Sequence, residues 1–180
     1  MKLSRSSAPT RALLAVSLLT LMSRPSAATD EGFKVSAAPS ISVKDREGHA
    51  RTLSEFKGRV VLVDFWASWC APCKVSFPAL DSLHEEFHDS GLDVVAINVD
   101  EDAKSARAFL SGKSPSMTVL FDPQGRSPEA FKVEGMPSSF LIDRDGNIRF
   151  RHMGFTDQTR TDFRREISIL LAEGADHVRK

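Results

Sequence analysis

The only two cysteines of the chain, Cys70 and Cys73, stand three residues apart. Sulfurs at that spacing can close a disulfide, form half of a metal site, or carry out thiol-disulfide exchange, in which a thiolate attacks a sulfur-sulfur bond. A disulfide across so short a loop removes little chain entropy and leaves the flanking Trp66 and Trp69 unexplained, so a purely structural staple is a weak use of the pair. Zinc needs four ligands, and here there is no second cysteine pair and no clustered spacing among the five histidines. His84 and His88, one helical turn apart, read as a solvated helix face. Exchange chemistry is what the spacing suits best.

The string Trp66-Ala67-Ser68-Trp69-Cys70-Ala71-Pro72-Cys73 falls where an apolar run ends and a helical pattern begins. A cysteine at a helix N-terminus meets unpaired N–H groups and the positive end of the macrodipole, and both favour thiolate over thiol. Cys70 is therefore the expected nucleophile. Cys73, one turn further in and more buried, is the expected resolving thiol. Pro72 removes a donor the helix start does not need and stiffens the spacer. Trp69, Ala71 and Pro72 form the expected client-facing border, with Trp69 walling the site and Trp66 filling core. Asp64 interrupts the apolar run six residues before Cys70. Burial raises a carboxyl pKa, which suits it to exchange a proton near neutral pH; the alternative is a satisfied buried carboxylate.

Elements to position these groups follow from periodicity. Residues 59–65 open with Arg59 and continue as an apolar stretch interrupted only by Asp64, expected as a central strand covered on both faces. Residues 73–87 place Phe77, Leu80, Leu83 and Phe87 at spacings of three and four, an amphipathic helix with a kink expected at Pro78. Upstream, residues 41–43 and 50–53 flank a turn at 45–48 and predict a hairpin. Downstream the expected order is strand 92–99, helix 101–111, strand 118–121, a helical turn over 128–133, a hairpin of 140–142 and 148–152 about the turn 143–147, and a helix over 159–172. The fold class is α/β, a mixed sheet flanked by helices.

With 180 residues, 41% hydrophobic and 27% charged, the chain can bury one ordinary core. Basic and acidic residues both number 24, so no basic field favours nucleic acid or anionic lipid. The N-terminus carries Lys2, Arg5 and Arg11, an apolar run over 12–22, then Ser26-Ala27-Ala28. These are the parts of a secretory signal, with cleavage expected after Ala28 and a mature start near Thr29. The run is well short of the ~20 residues that cross a bilayer, so a permanent anchor is the alternative and stable insertion of the mature chain is not expected. The expected division is signal peptide 1–28, linker 29–37, domain 38–174 and tail 175–180.

The cysteine string resembles the thioredoxin superfamily, and the segments around it are similar to the TlpA/ResA-like periplasmic thioredoxins. The likeness runs from Ala38 to the last helix. It is carried by Ala38-Pro39, the run 53–63, Ala96-Ile97-Asn98-Val99-Asp100 and Gly135-Met136-Pro137-Ser138-Ser139-Phe140-Leu141-Ile142-Asp143. The resemblance implies a thioredoxin fold with an N-terminal hairpin and a β-α insertion, a cis Pro137 opposite the cysteines, substrate contacts at Met136, and Asp64 as proton acceptor for Cys73. Many relatives carry asparagine at the Asp64 position, and a glutamate often stands where this chain has Ser76. By the same resemblance the location is the periplasm, or the membrane facing it.

Ala-Pro between the cysteines resembles the Gly-Pro of reducing thioredoxins; strongly oxidising relatives carry a histidine there. The expected activity is disulfide reduction, with a disulfide-containing protein client and a membrane-bound thiol electron donor. No cofactor or metal is expected for it. Soft thiolates suit Cu(I), which leaves a copper-handling role as an alternative, although Met117, Met136 and Met153 are too scattered for a methionine site. Thiol peroxidases share the fold, but their motif needs a threonine and a proline where this chain has Ala67 and Val63.

Overall fold

The computed structural model describes residues 35–173. The expected signal peptide, most of the expected linker and the C-terminal tail lie outside them. Among the described residues no helix is long and apolar enough to cross a membrane.

The apolar run around Asp64 forms β4 (Val60–Trp66), buried at every residue. On one side it pairs in parallel with β5 (Leu92–Asn98), equally buried. The crossover between them is α1 (Ala71–Phe87). On its other side β4 pairs antiparallel with β7 (Ser138–Ile142), which continues through a turn into β8 (Asn147–Met153). The Asp143 carboxylate accepts the N–H groups of Asp145 and Asn147 in that turn, and Gly146, at φ 87°, takes the left-handed conformation the reversal requires. Between β5 and β7 the chain makes α2 (Ala103–Leu110), β6 (Thr118–Phe121) and α3 (Arg126–Ala130). The expected N-terminal hairpin is β2 (Ser42–Lys44) with β3 (Ala50–Thr52), and β2 adds to β6. α4 (Asp157–Glu173) closes the described chain.

The two-residue strand β1 (Ser36–Ala37) pairs with Ile148 and Asn147 of β8, inside the segment expected to be linker. It gives an eight-stranded mixed sheet in the order β1-β8-β7-β4-β5-β6-β2-β3.

Strand alternation sorts the core into two layers. Val60, Leu62 and Trp66 of β4 join Phe77, Leu80 and Leu83 of α1, Ala106 and Leu110 of α2, and Phe163, Ile167 and Leu170 of α4. Val61, Val63 and Phe65 point the other way, onto Ile41, Val43, Phe56, Phe131 and Phe140. Asp64 shares the parity of Leu62 and Trp66, so it lies on the α1 and α4 face.

Boundaries shift where local hydrogen bonding overrides periodicity. α1 starts two residues before the expected Cys73, because Cys70 itself caps it. α2 begins at Ala103, where the Asp102 carboxylate accepts the Lys104 N–H. α3 spans Arg126–Ala130 rather than 128–133, since Asp122 accepts both the N–H and the hydroxyl of Ser127. β7 starts at Ser138, paired to Phe65. Pro78 sits within α1.

Candidate functional site

Every potential reacting group lies at or under the end of β4. Cys70 and Cys73 are joined by a disulfide with their Cα atoms 5.3 Å apart. Cys70 is the N-cap of α1: its backbone is extended and its Sγ accepts the Cys73 N–H at 3.2 Å. Its sulfur thus occupies the anion-favouring end of the helix. Cys73 is fully buried and Cys70 is 5% exposed, the order expected of resolving and attacking sulfurs. Trp69, Ala71 and Pro72 are all exposed beside the pair, and Trp69, at 67%, is the most exposed large apolar side chain described. Trp66 is core, packed edge-on against Phe77, as its pattern suggested.

The loop carrying Trp69 is pinned from below. Asp100, buried at the end of β5, accepts the Ser68 N–H on both oxygens at 3.1 Å and the Asn98 amide at 3.0 Å. The Asn98 side-chain Oδ1 accepts the Asp100 N–H in return. Sequence reasoning gave Asp100 no role, because a carboxylate at a strand end looks like any solvated turn residue until its partner 32 residues away is known.

Asp64 is completely buried, and desolvation pushes its pKa from 3.8 up to about 7. The Ser139 hydroxyl donates to its Oδ1 at 2.6 Å and partly opposes that rise. Its Oδ2 has no hydrogen-bond partner, and neither has the Trp66 indole N–H two residues on. Such an oxygen is available to a proton donor on the α1 side of the sheet, where Cys73 lies. Ser76, at the position where relatives often place glutamate, is buried and donates to the Cys73 carbonyl at 3.2 Å, so it offers no second acid.

The Met136–Pro137 peptide bond is cis. Pro137 directly precedes Ser138, which pairs with Phe65, so this loop lies at the same end of the sheet as Cys70. Its carbonyl accepts the Gly154 N–H at 2.8 Å, and Met136 is half-buried against the core.

The reading of His84 and His88 as one solvated face needs correction. His88 is exposed, but His84 is buried, and its Nδ1 accepts the Val94 N–H at 3.3 Å because α1 crosses β5 at that point. Burial lowers the His84 pKa. Asp93 approaches both rings, yet Arg59 already donates to its carboxylate at 2.5 Å and to the His88 carbonyl at 2.8 Å, which fills this group with a fixed cation.

Comparison with known proteins agrees with this geometry. The family model described as Redoxin matches residues 34–167. The chain is 31% identical over 114 residues to thiol-disulfide oxidoreductase ResA of Geobacillus kaustophilus (strain HTA426), covering 63% of this chain and 66% of the relative. It is 34% identical over 120 residues to thioredoxin-like protein YneN of Bacillus subtilis (strain 168), covering 65% and 69%. The match to ResA therefore spans just under two thirds of that relative's length. Among solved structures, a Chlorobium tepidum protein assigned as thiol:disulfide interchange protein DsbE superposes with a TM-score of 0.74 at 38% identity, over 77% of this chain and 98% of that one.

Proposed function

The chain belongs to the Redoxin family, as a TlpA/ResA-like member with the thioredoxin fold, and from that premise we propose that it is a thiol-disulfide oxidoreductase that reduces client disulfides through Cys70 and Cys73. The observation that carries the reading is the Cys70–Cys73 disulfide at the N-terminus of α1, on the same side of the sheet as a buried Asp64 whose pKa desolvation raises to about 7.

In the dithiol form the Cys70 thiolate attacks one sulfur of a client disulfide. A Cys70–client bond forms, and the other client sulfur leaves with the electron pair and takes up a proton. Cys73 then gives its proton to Asp64 and attacks the Cys70 sulfur; the mixed disulfide breaks, and the second client sulfur leaves with the electron pair and takes up a proton from water. The client gains two electrons, and the protein returns to the disulfide form seen here. Trp69, Ala71, Pro72, Met136 and Pro137 border the approach to Cys70. The Ala-Pro spacer and the absence of a histidine between the cysteines support reduction over oxidation. The apolar run over 12–22 and the likeness to ResA support a location outside the cytosol, in the periplasm, with a membrane-bound thiol protein restoring the dithiol.

Insulin disulfide reduction driven by dithiothreitol tests the reading. The wild-type chain should accelerate it and Cys70→Ser should not; a wild-type chain with no more activity than that variant refutes it.

A further inference from the structure

A proton taken up by Asp64 is deep in the protein, and the register of three adjacent strands marks a way out. Asp64 pairs with Ser139 across β4 and β7, and Ser139 pairs with His152 across β7 and β8. Directly opposed residues share a face, with Cβ atoms about 4.5–5.5 Å apart. Asp64, Ser139 and His152 therefore stand in a row on the α1 and α4 face, leading from the Cys73 side to the margin of the sheet. The first link is closed by the 2.6 Å hydrogen bond from Ser139 to Asp64. Among the described residues no strand pairs with β8 beyond Ile148, and the His152 side chain is 17% exposed, so the row ends at water.

The outer end is also organised. His152 Nε2 lies 2.7 Å from Glu166 Oε2, and the Glu166 side chain is only 5% exposed. The ring packs edge-on against Phe163, with centroids 4.9 Å apart. A carboxylate accepting from Nε2 selects the tautomer with the lone pair on Nδ1 and fixes the orientation of the ring. Nδ1 has no hydrogen-bond partner among the described residues. The other charged groups facing the pair are Asp162 and Arg165 of α4; the Arg165 guanidinium bonds Asp162 at 2.9 Å and Glu166 Oε1 at 3.3 Å.

We propose that His152, held by Glu166, is the residue through which the proton that Asp64 takes from Cys73 passes to solvent. The inference rests on the oxidoreductase reading above. Asp64 regenerates its carboxylate by giving its proton to the Ser139 hydroxyl while that hydroxyl, turned away from Asp64, passes its own proton through a bridging water to His152, and His152 releases it outside. Only a proton moves, and each group ends as it began. His152 touches neither sulfur and acts through Asp64, so it is a positioning residue.

The test is rapid mixing of the dithiol protein with a symmetrical aromatic disulfide whose thiolate is coloured, which gives one release for Cys70 attack and a second for Cys73 resolution. At pH values below about 7, where Asp64 starts protonated, His152→Gln should slow the second release roughly tenfold. It should leave the first release and the reduction potential unchanged. Above that pH the difference should vanish. Glu166→Gln should act in the same direction, free imidazole should restore the rate of His152→Ala, and His152→Gln should add nothing in an Asp64→Asn background. A wild-type second release in His152→Gln, a slowing equal at all pH values, or a loss that persists in full over Asp64→Asn overturns the relay. A wild-type protein that releases no coloured thiolate at all overturns the oxidoreductase reading instead.

Discussion

Replacing Asp64 with asparagine isolates the carboxyl on which the proposed chemistry depends. Burial moves its pKa from 3.8 to about 7, so the ionised form costs the native state about 4 kcal/mol. Between those two values the native protein holds a proton that the unfolded chain has released. Stability therefore falls as pH rises through that window and levels off above about 7. Asparagine does not titrate. Its carbonyl can still accept from Ser139, while its amide nitrogen takes the place of the unpartnered Oδ2, at a penalty of about 1–3 kcal/mol. The variant should thus be weaker than wild type by about 1–3 kcal/mol in acid, and more stable by about 1–3 kcal/mol above the window. Urea unfolding of both disulfide forms at a series of pH values measures this, with m-values expected to match. A difference between the two proteins that stays constant across the series would mean that Asp64 is ionised and satisfied in the fold, and the argument for it as a proton acceptor near neutral pH would fail.

Cys73→Ala should leave a client covalently attached to Cys70, seen as a gel shift that excess dithiol reverses; no adduct with any disulfide substrate counts against Cys73 as the resolving thiol. Asp100→Ala strips the Ser68 N–H and the Asn98 amide of a shared acceptor, and should destabilise the protein by about 1–3 kcal/mol in urea. It should also alter Trp69 emission and slow insulin reduction, because the loop it anchors carries Trp69 to Cys70.

What the chain discloses before folding depends on how local the signal is. The cysteine string, the apolar run of β4 and the helical spacing of Phe77, Leu80 and Leu83 are each contained within a few turns of chain, and each lands where periodicity puts it. Asp64 was legible for the same reason: one carboxylate in an apolar strand has to be buried. Its partner was not, since Ser139 lies 75 residues away and only the β4–β7 register joins them. His84 was misread because α1 looks amphipathic there until β5 is laid beneath it, and β1 was missed because two residues carry no period. Buried Glu166 had no signal either: in sequence it is one charge among several on a polar helix, and it becomes the partner of His152 only once α4 lies over β8. The cysteine motif was thus local and readable, while the groups of the proposed proton relay come together only through the packing of three strands and a helix. That division says where the effects of substitution should divide as well: changes in the cysteine string alter whether exchange occurs, and changes along the row from Asp64 to His152 alter the pH at which it is fast.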